Sequence, residues 1–301
     1  MIAHLPDSLR AIILMVVGMF FFMTGDTFLK LASGHLPLGM VVFVLGIGMT
    51  AFFAVMMAKA QDPIFRLAYI TWPMAMRCLG EAIGIIGVIV AVAFSPLSTV
   101  TAIMQSLPLV LTLMGALFLK EKVGPHRIAA LIMGLLGVLI IIRPGLEGFN
   151  AFASVTLIGV LGMAIRDFGT RLMPKEISTV ALSFWGSVAI IATGLGMMTW
   201  QQEWHQFTAI GLNKIGLGYS FGLIIATALG TLAVSTSMRL GDVSAISPFR
   251  YIRVVFGIAT GIVVFGEQVD LSTYIGSAIV VGAGLYGWVR EQKLARLAAK
   301  S

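Results

Sequence analysis

Charge, cysteine and histidine are all scarce in this chain, and each scarcity excludes something. Only 11% of the 301 residues are charged, while 58% are hydrophobic. Soluble domains carry roughly a quarter charged residues. A soluble fold this apolar would lack the polar surface to cover itself, so lipid is the expected solvent. The single cysteine, Cys78, excludes a disulfide framework and any cysteine-built metal cluster, and its apolar surroundings fit a packed thiol. The four histidines (His4, His35, His126 and His205) fall in predicted loops without ligand spacing. No Walker A segment, dinucleotide fingerprint or HExxH motif is present. A membrane-embedded enzyme is the rival class, but no predicted span holds a histidine, which argues against His-based catalysis. No cofactor or metal is expected. A channel or a purely structural membrane subunit are further readings. No filter-like segment supports the first, and intramembrane arginines and repeat symmetry argue against the second.

What the chain does have is a series of long apolar runs. A helix needs about 20 apolar residues to cross the hydrocarbon core. Spans are predicted near 11–31, 37–58, 73–94, 98–119, 125–143, 152–172, 178–200, 215–238, 243–265 and 272–289. The first run is longer than a signal-peptide core and is expected to be a retained helix. The 34 glycines and 18 methionines suit close helix packing in lipid. The net formal charge of +7 does not mark a nucleic-acid binder, because the basic residues cluster between the runs. With the N-terminus inside, Arg10, Lys59, Arg66, Arg77, Lys120, Lys122, Arg127, Arg171, Lys175, Arg239, Arg290, Lys293, Arg296 and Lys300 all fall on the cytoplasmic side. Only Lys30, Arg143 and Lys214 fall outside, a ratio of fourteen to three. The bias predicts both termini in the cytoplasm and an even number of spans.

The two halves resemble each other. LSTVTAIMQSLPLVLTLMGALFLKEKV lies over VSAISPFRYIRVVFGIATGIVVFGEQV at an offset of 146, pairing Ser98 with Ser244, Gly115 with Gly261, Glu121 with Glu267 and Val123 with Val269. GMFFFMTGDTFLK lies over GVLGMAIRDFGTR at an offset of 141, pairing Gly18 with Gly159, Asp26 with Asp167 and Lys30 with Arg171. Five spans per repeat make the second copy enter from the opposite side, so the expected fold is an all-α membrane protein of ten transmembrane helices in two inverted five-helix repeats. The expected organisation is repeat 1 over 11–143, repeat 2 over 152–289 and a basic cytoplasmic tail over 290–301. The linker Arg143-Pro144-Gly145-Leu146-Glu147-Gly148 is the expected hinge.

QSLPLVLTLMGALFLKEKV, the following GLLGVLIIIRPG, and their echoes GIVVFGEQV and GAGLYGWVRE resemble the EamA-type transporters of the drug/metabolite transporter superfamily, over nearly the whole chain. The resemblance implies ten helices, two EamA repeats and a carrier of a small-molecule substrate in the bacterial inner membrane, without an ATPase subunit. The chain departs from the family where a second-repeat proline is common, since Val254 stands opposite Pro108. This argues against reading its substrate from the family's amino-acid exporters. The arginine-bearing ninth span, Ser247-Pro248-Phe249-Arg250-Tyr251-Ile252-Arg253, is similar to an alphaproteobacterial branch that includes riboflavin importers. A vitamin such as riboflavin, imported, is therefore the expected substrate, and export of an amino acid or related metabolite is the alternative.

A charge at a helix centre costs roughly 2.5–3.5 kcal/mol on insertion scales, so each one needs a partner or a cavity. Arg250 and Arg253 lie inside the ninth span three residues apart and share a face; they are candidates for an anionic or carbonyl-rich substrate, with snorkelling or a structural ion pair as the alternative. Pro248 and Pro108 are expected to loosen their helices. Gln105 aligns with Tyr251, and the pair would either line one cavity or bond between helices. Trp185 lies within the seventh span and could stack on a planar substrate, whereas Trp72, Trp200, Trp204 and Trp288 fit interfacial belts. Arg77 and Glu81 have the spacing of an intrahelical ion pair, and Glu81, the deeper of the two, is the candidate for proton coupling. Asp26 with Lys30 and Asp167 with Arg171 are repeat-related pairs at i,i+4, read as gates or helix-end anchors. Arg166 stands beside Asp167 where the first repeat has Gly25.

Overall fold

The computed structural model describes residues 6–62, 69–118, 125–144, 150–174, 176–202, 213–240 and 247–298. Outside them lie His4, Arg66, Lys120, Glu121, Lys122, Val123, the linker residues Gly145 to Gly148, Lys175, Trp204, His205, Val243, Ser244 and Lys300. The described residues form α1 (Asp7–Ser33), α2 (Leu38–Ala60), α3 (Trp72–Phe94), α4 (Leu97–Met104), α5 (Leu107–Phe118), α6 (Pro125–Ile142), α7 (Ala151–Arg171), α8 (Thr179–Trp200) and α9 (Lys214–Leu240). A 3-10 turn (Ser247–Tyr251) then leads into α10 (Ile252–Phe265), and α11 (Leu271–Ala298) follows.

Side-chain caps start several of these helices. Ser178 Oγ accepts from Ala181 N at 3.0 Å, Asn213 Oδ1 from Gly216 N at 3.0 Å and Asp270 Oδ1 from Thr273 N at 2.7 Å. Each satisfies an N-terminal amide that the helix itself cannot.

Among the described residues, eight stretches are long and apolar enough to cross a bilayer, with α4 and α5 together forming one of them. The protein is therefore an all-helical, multi-pass membrane protein. The apolar stretch Ile128–Ile142 of α6 and the 14-residue α10 are shorter than these. For α10 the reason is visible: its span begins in the 3-10 turn. Five 3-10 and fourteen α-helical residues together rise about 31 Å, close to the hydrocarbon thickness.

The helices divide into two compact units, and neither is a half of the sequence. Unit 1 comprises 1–23, 95–154 and 229–301, and unit 2 comprises 24–94 and 155–228. α1, α7 and α9 run from one unit into the other.

Small residues set the packing within each unit. In unit 1, Gly257 on α10 faces Thr101 on α4, and Gly276 on α11 faces Gly137 on α6. In unit 2, Gly46 and Gly194 bring α2 against α8, where Thr50 Oγ1 donates to Ser187 Oγ at 3.0 Å. Gly80, Gly84 and Gly87 on α3 meet the backbone of α7 at Arg166, Gly162 and Gly159. A Cβ at Gly80 or Gly87 would collide with the α7 backbone and one at Gly84 would lie 3.3 Å from Met163 N, so α3 and α7 approach as closely as small-residue interfaces in lipid allow.

Candidate transport site

Unit 1 holds two interrupted helices. Pro108 has no N–H to give to the Met104 carbonyl, and its ring would clash there, so the fourth span cannot continue as one α-helix. The chain turns at Gln105 and Ser106, whose amides bond three residues back to Ala102 and Ile103, and Leu109 N restarts from the Ser106 carbonyl at 3.0 Å. The ninth span changes from 3-10 to α between Tyr251 and Ile252. Under the 146 offset these are repeat-related positions, since 105 falls on 251 and 106 on 252. Gln105 Nε2 donates to the Arg250 carbonyl at 3.0 Å, so one interruption is bonded directly to the other.

Around this join, Tyr251 is buried against α11, with its hydroxyl where a side chain at Gly284 would stand. The Arg253 guanidinium lies 5.7 Å from the Phe22 ring centroid on α1, within cation–π range. Arg250 is partly exposed, and Pro248 lies in the 3-10 turn.

A carboxylate anchors the same helix pair at its other end. α10 stops at Gly266 in the left-handed region (φ 63°), a conformation that glycine adopts without strain. Gly266 N donates to the Ile262 carbonyl at 3.1 Å and Glu267 N to the Gly261 carbonyl at 2.9 Å. This turn aims Glu267 at the N-terminus of α4, where Leu97 N donates to Oε1 at 2.5 Å and Ser98 N and Oγ donate to Oε2 at 3.1 and 2.8 Å. A negative group at a helix N-terminus meets both free amides and the positive end of the dipole. A Cβ at Gly261 would strike the carboxylate, which explains why the repeat keeps a glycine six residues before its glutamate.

Unit 2 holds a cluster of four charges. Arg77 Nε donates to the Leu182 carbonyl on α8 at 3.0 Å, its Nη1 to Thr170 Oγ1 on α7, and its Nη2 lies 4.0 Å from Glu81 Oε2. Glu81 Oε1 also receives Arg166 Nη1 at 3.4 Å, and Arg166 Nε donates to Asp167 Oδ1 at 2.8 Å. The close approach at Gly80 is what sets Arg166 beside Glu81. Gly186 on α8 leaves room for the pair, since a Cβ there would lie 3.1 Å from Glu81 Oε2.

The expected site residues thus fall into two groups. Gln105, Pro108, Pro248, Arg250, Tyr251 and Arg253 lie in unit 1, where Gln105 bonds to Arg250, and Arg77, Glu81 and Asp167 meet through Arg166 in unit 2. Trp185 sits edge-on to Phe184 at 5.6 Å, and its carbonyl accepts from the Cys78 thiol at 3.6 Å. Asp26 and Lys30 are partly buried on α1, and Arg171 is exposed at the end of α7. Sequence reasoning missed the role of Arg166, Thr170 and the Glu267 cap. Only the glycine spacing at 80, 84, 87, 159 and 162 signalled that α3 and α7 meet.

A model of the EamA-like transporter family matches the chain over residues 9–143 and again over 151–287. The chain belongs to this family. Its EamA relatives include a riboflavin transporter of Brucella anthropi, 24% identical over 70% of this chain and 74% of its own. An S-adenosylmethionine uptake transporter of Rickettsia bellii is 25% identical over 67% of each chain. A pseudopaline exporter of Pseudomonas aeruginosa is 24% identical over 92% of this chain and 95% of its own. A protein of known crystal structure superimposes with a TM-score of 0.61 over 95% of this chain and 99% of its own, at 15% identity, which shows a shared fold. Family and relatives are transporters, not enzymes.

Proposed function

We propose that this EamA protein is a secondary carrier that moves a small metabolite across the bacterial inner membrane by alternating access. The observation that carries this is the bonded pair of interruptions, Gln105 Nε2 to the Arg250 carbonyl, at matching positions of the two repeats. Helices that cross lipid satisfy their backbone internally, and irregular backbone at membrane depth is tolerated where it is buried in protein or lines a water-filled cavity. Discontinuous helices at repeat-related positions are the form that substrate sites take in inverted-repeat transporters. In this reading the repeats span 11–143 and 152–289 as ten spans of inverted topology, both termini are cytoplasmic, and Arg250 and Arg253 contact the substrate beside Gln105 and Tyr251.

Riboflavin transport is supported by the Brucella relative, S-adenosylmethionine uptake by the Rickettsia relative and metabolite export by the Pseudomonas relative. The three names span different chemistries, so a panel is needed. The purified protein, reconstituted in proteoliposomes, is offered labelled riboflavin, S-adenosylmethionine, amino acids and nucleosides. Saturable flux of one member is expected, with that flux lost in Arg250→Ala and Arg253→Ala variants that still elute as folded protein. No flux for any compound would remove the carrier reading. Wild-type flux in both variants would remove the ninth-span site alone.

A further inference from the structure

Two arginines and two carboxylates, net zero, meet between α3 and α7 inside membrane-spanning helices, and they are not equivalent. Arg77 is closed off: its guanidinium faces the Leu182 carbonyl, Thr170 and Glu81, and its side chain is 11% exposed. Arg166 and Asp167 are more open, with side chains 23% and 26% exposed. Arg166 uses Nε on Asp167 and Nη1 on Glu81, the latter at a long 3.4 Å, and among the described residues its Nη2 has no partner. Asp167 accepts through Oδ1, and its Oδ2 has no partner among the described residues. A guanidinium nitrogen and a carboxylate oxygen, each without a partner among the described residues, therefore belong to two side chains bonded to each other.

We propose that Arg166 and Asp167 form the recognition site for a zwitterionic group, an ammonium and a carboxylate on neighbouring atoms, in the metabolite carried under the reading above. The incoming carboxylate takes the Nη1–Nη2 edge of Arg166 as a fork, displacing the long contact to Glu81. The ammonium donates to Asp167 Oδ2. Glu81 stays compensated, because Arg77 remains beside it. The charge balance selects the ligand class. The cluster is already neutral, so a ligand with one charge would leave an uncompensated charge among membrane-spanning helices, whereas a zwitterion exchanges one ion pair for another. Gly25, the first-repeat counterpart of Arg166, carries no such group, so the repeat-related position holds no second copy of the pair.

The test uses the full-length protein in proteoliposomes with labelled methionine, leucine, S-adenosylmethionine and riboflavin. The transported compound is then competed with its desamino and decarboxylated analogues. The expected result is flux of a zwitterionic compound, competed by neither analogue. Asp167→Asn and Arg166→Ala should each raise KM at least tenfold, Arg166→Lys should raise it less, and Asp167→Asn should now admit the desamino analogue as a competitor. That change of selectivity separates recognition from a merely structural role. If Arg166→Ala does not fold, Arg166→Lys and Asp167→Asn carry the test. Unchanged KM in the variants, equal competition by either analogue, or flux of riboflavin alone would overturn this site while leaving the carrier reading intact. Absence of flux for every compound would remove both.

Discussion

At the residue scale, single carboxylates in this EamA protein are fixed by donors that lie far away in sequence. Glu267 receives three donors from Leu97 and Ser98 at the start of α4. Removing it in Glu267→Ala leaves buried amides unsatisfied, a cost of about 1–3 kcal/mol. Glu267→Gln keeps an acceptor but loses the charge at the dipole end, and should cost about 0.3–1 kcal/mol. Unfolding midpoints in detergent should therefore fall in the order wild type, Gln, Ala. Glu81 is the carboxylate proposed for proton coupling. Glu81→Gln is expected to abolish uptake driven by a pH gradient, and uptake that retained the wild-type pH dependence would exclude the role. The Arg77–Glu81 pair was legible in the sequence, because i,i+4 spacing is a local property of a helix. The bond from Arg166 to Glu81 was not legible, because it depends on how α3 and α7 are rotated against each other.

At the element scale, helix existence was legible and helix continuity only partly so. Pro108 announces a defect in the fourth span, and the structure puts that defect at Gln105 and Ser106. The ninth span read as one apolar run, yet it is a 3-10 turn followed by a 14-residue helix, and periodicity alone does not separate the two. The α3–α7 interface rests on backbone contact at Gly80, Gly84 and Gly87. Gly80→Ala places a Cβ against the backbone of Arg166, where nothing flexible can yield. Overpacking of this kind costs about 1–3 kcal/mol and should move Arg166 away from Glu81. A lowered melting temperature in detergent is the expected measurement. A variant as stable as wild type would show that the helices can separate without loss.

At the scale of the whole molecule, the fourteen-to-three distribution of Lys and Arg predicts that both termini face the cytoplasm. A C-terminal fluorescent-protein fusion should be bright and a C-terminal alkaline phosphatase fusion inactive; the reverse pattern would invert the proposed topology. The same scale holds the largest difference from expectation. The repeat pattern divides the chain in two along its length, but the compact units interleave, with α1, α7 and α9 passing between them. The described residues on either side of the linker segment 145–149, Pro144 and Asn150, belong to the same unit.

The sequence by itself determined the solvent, the approximate helix positions and the internal repeat, because apolar run length, breaker residues and self-similarity are all properties of the chain read in order. It also paired Glu267 with Glu121 and Gly261 with Gly115 without saying what they do. Only the tertiary structure decided that Glu267 caps α4, that Gln105 bonds to the Arg250 carbonyl, and that Arg166 reaches Glu81. The physical reason is the same in each case. These contacts span 85 to 170 residues, and they form where glycines let backbones approach within reach of a side chain. Local pattern encodes the glycines and the charges separately, and only packing brings them together.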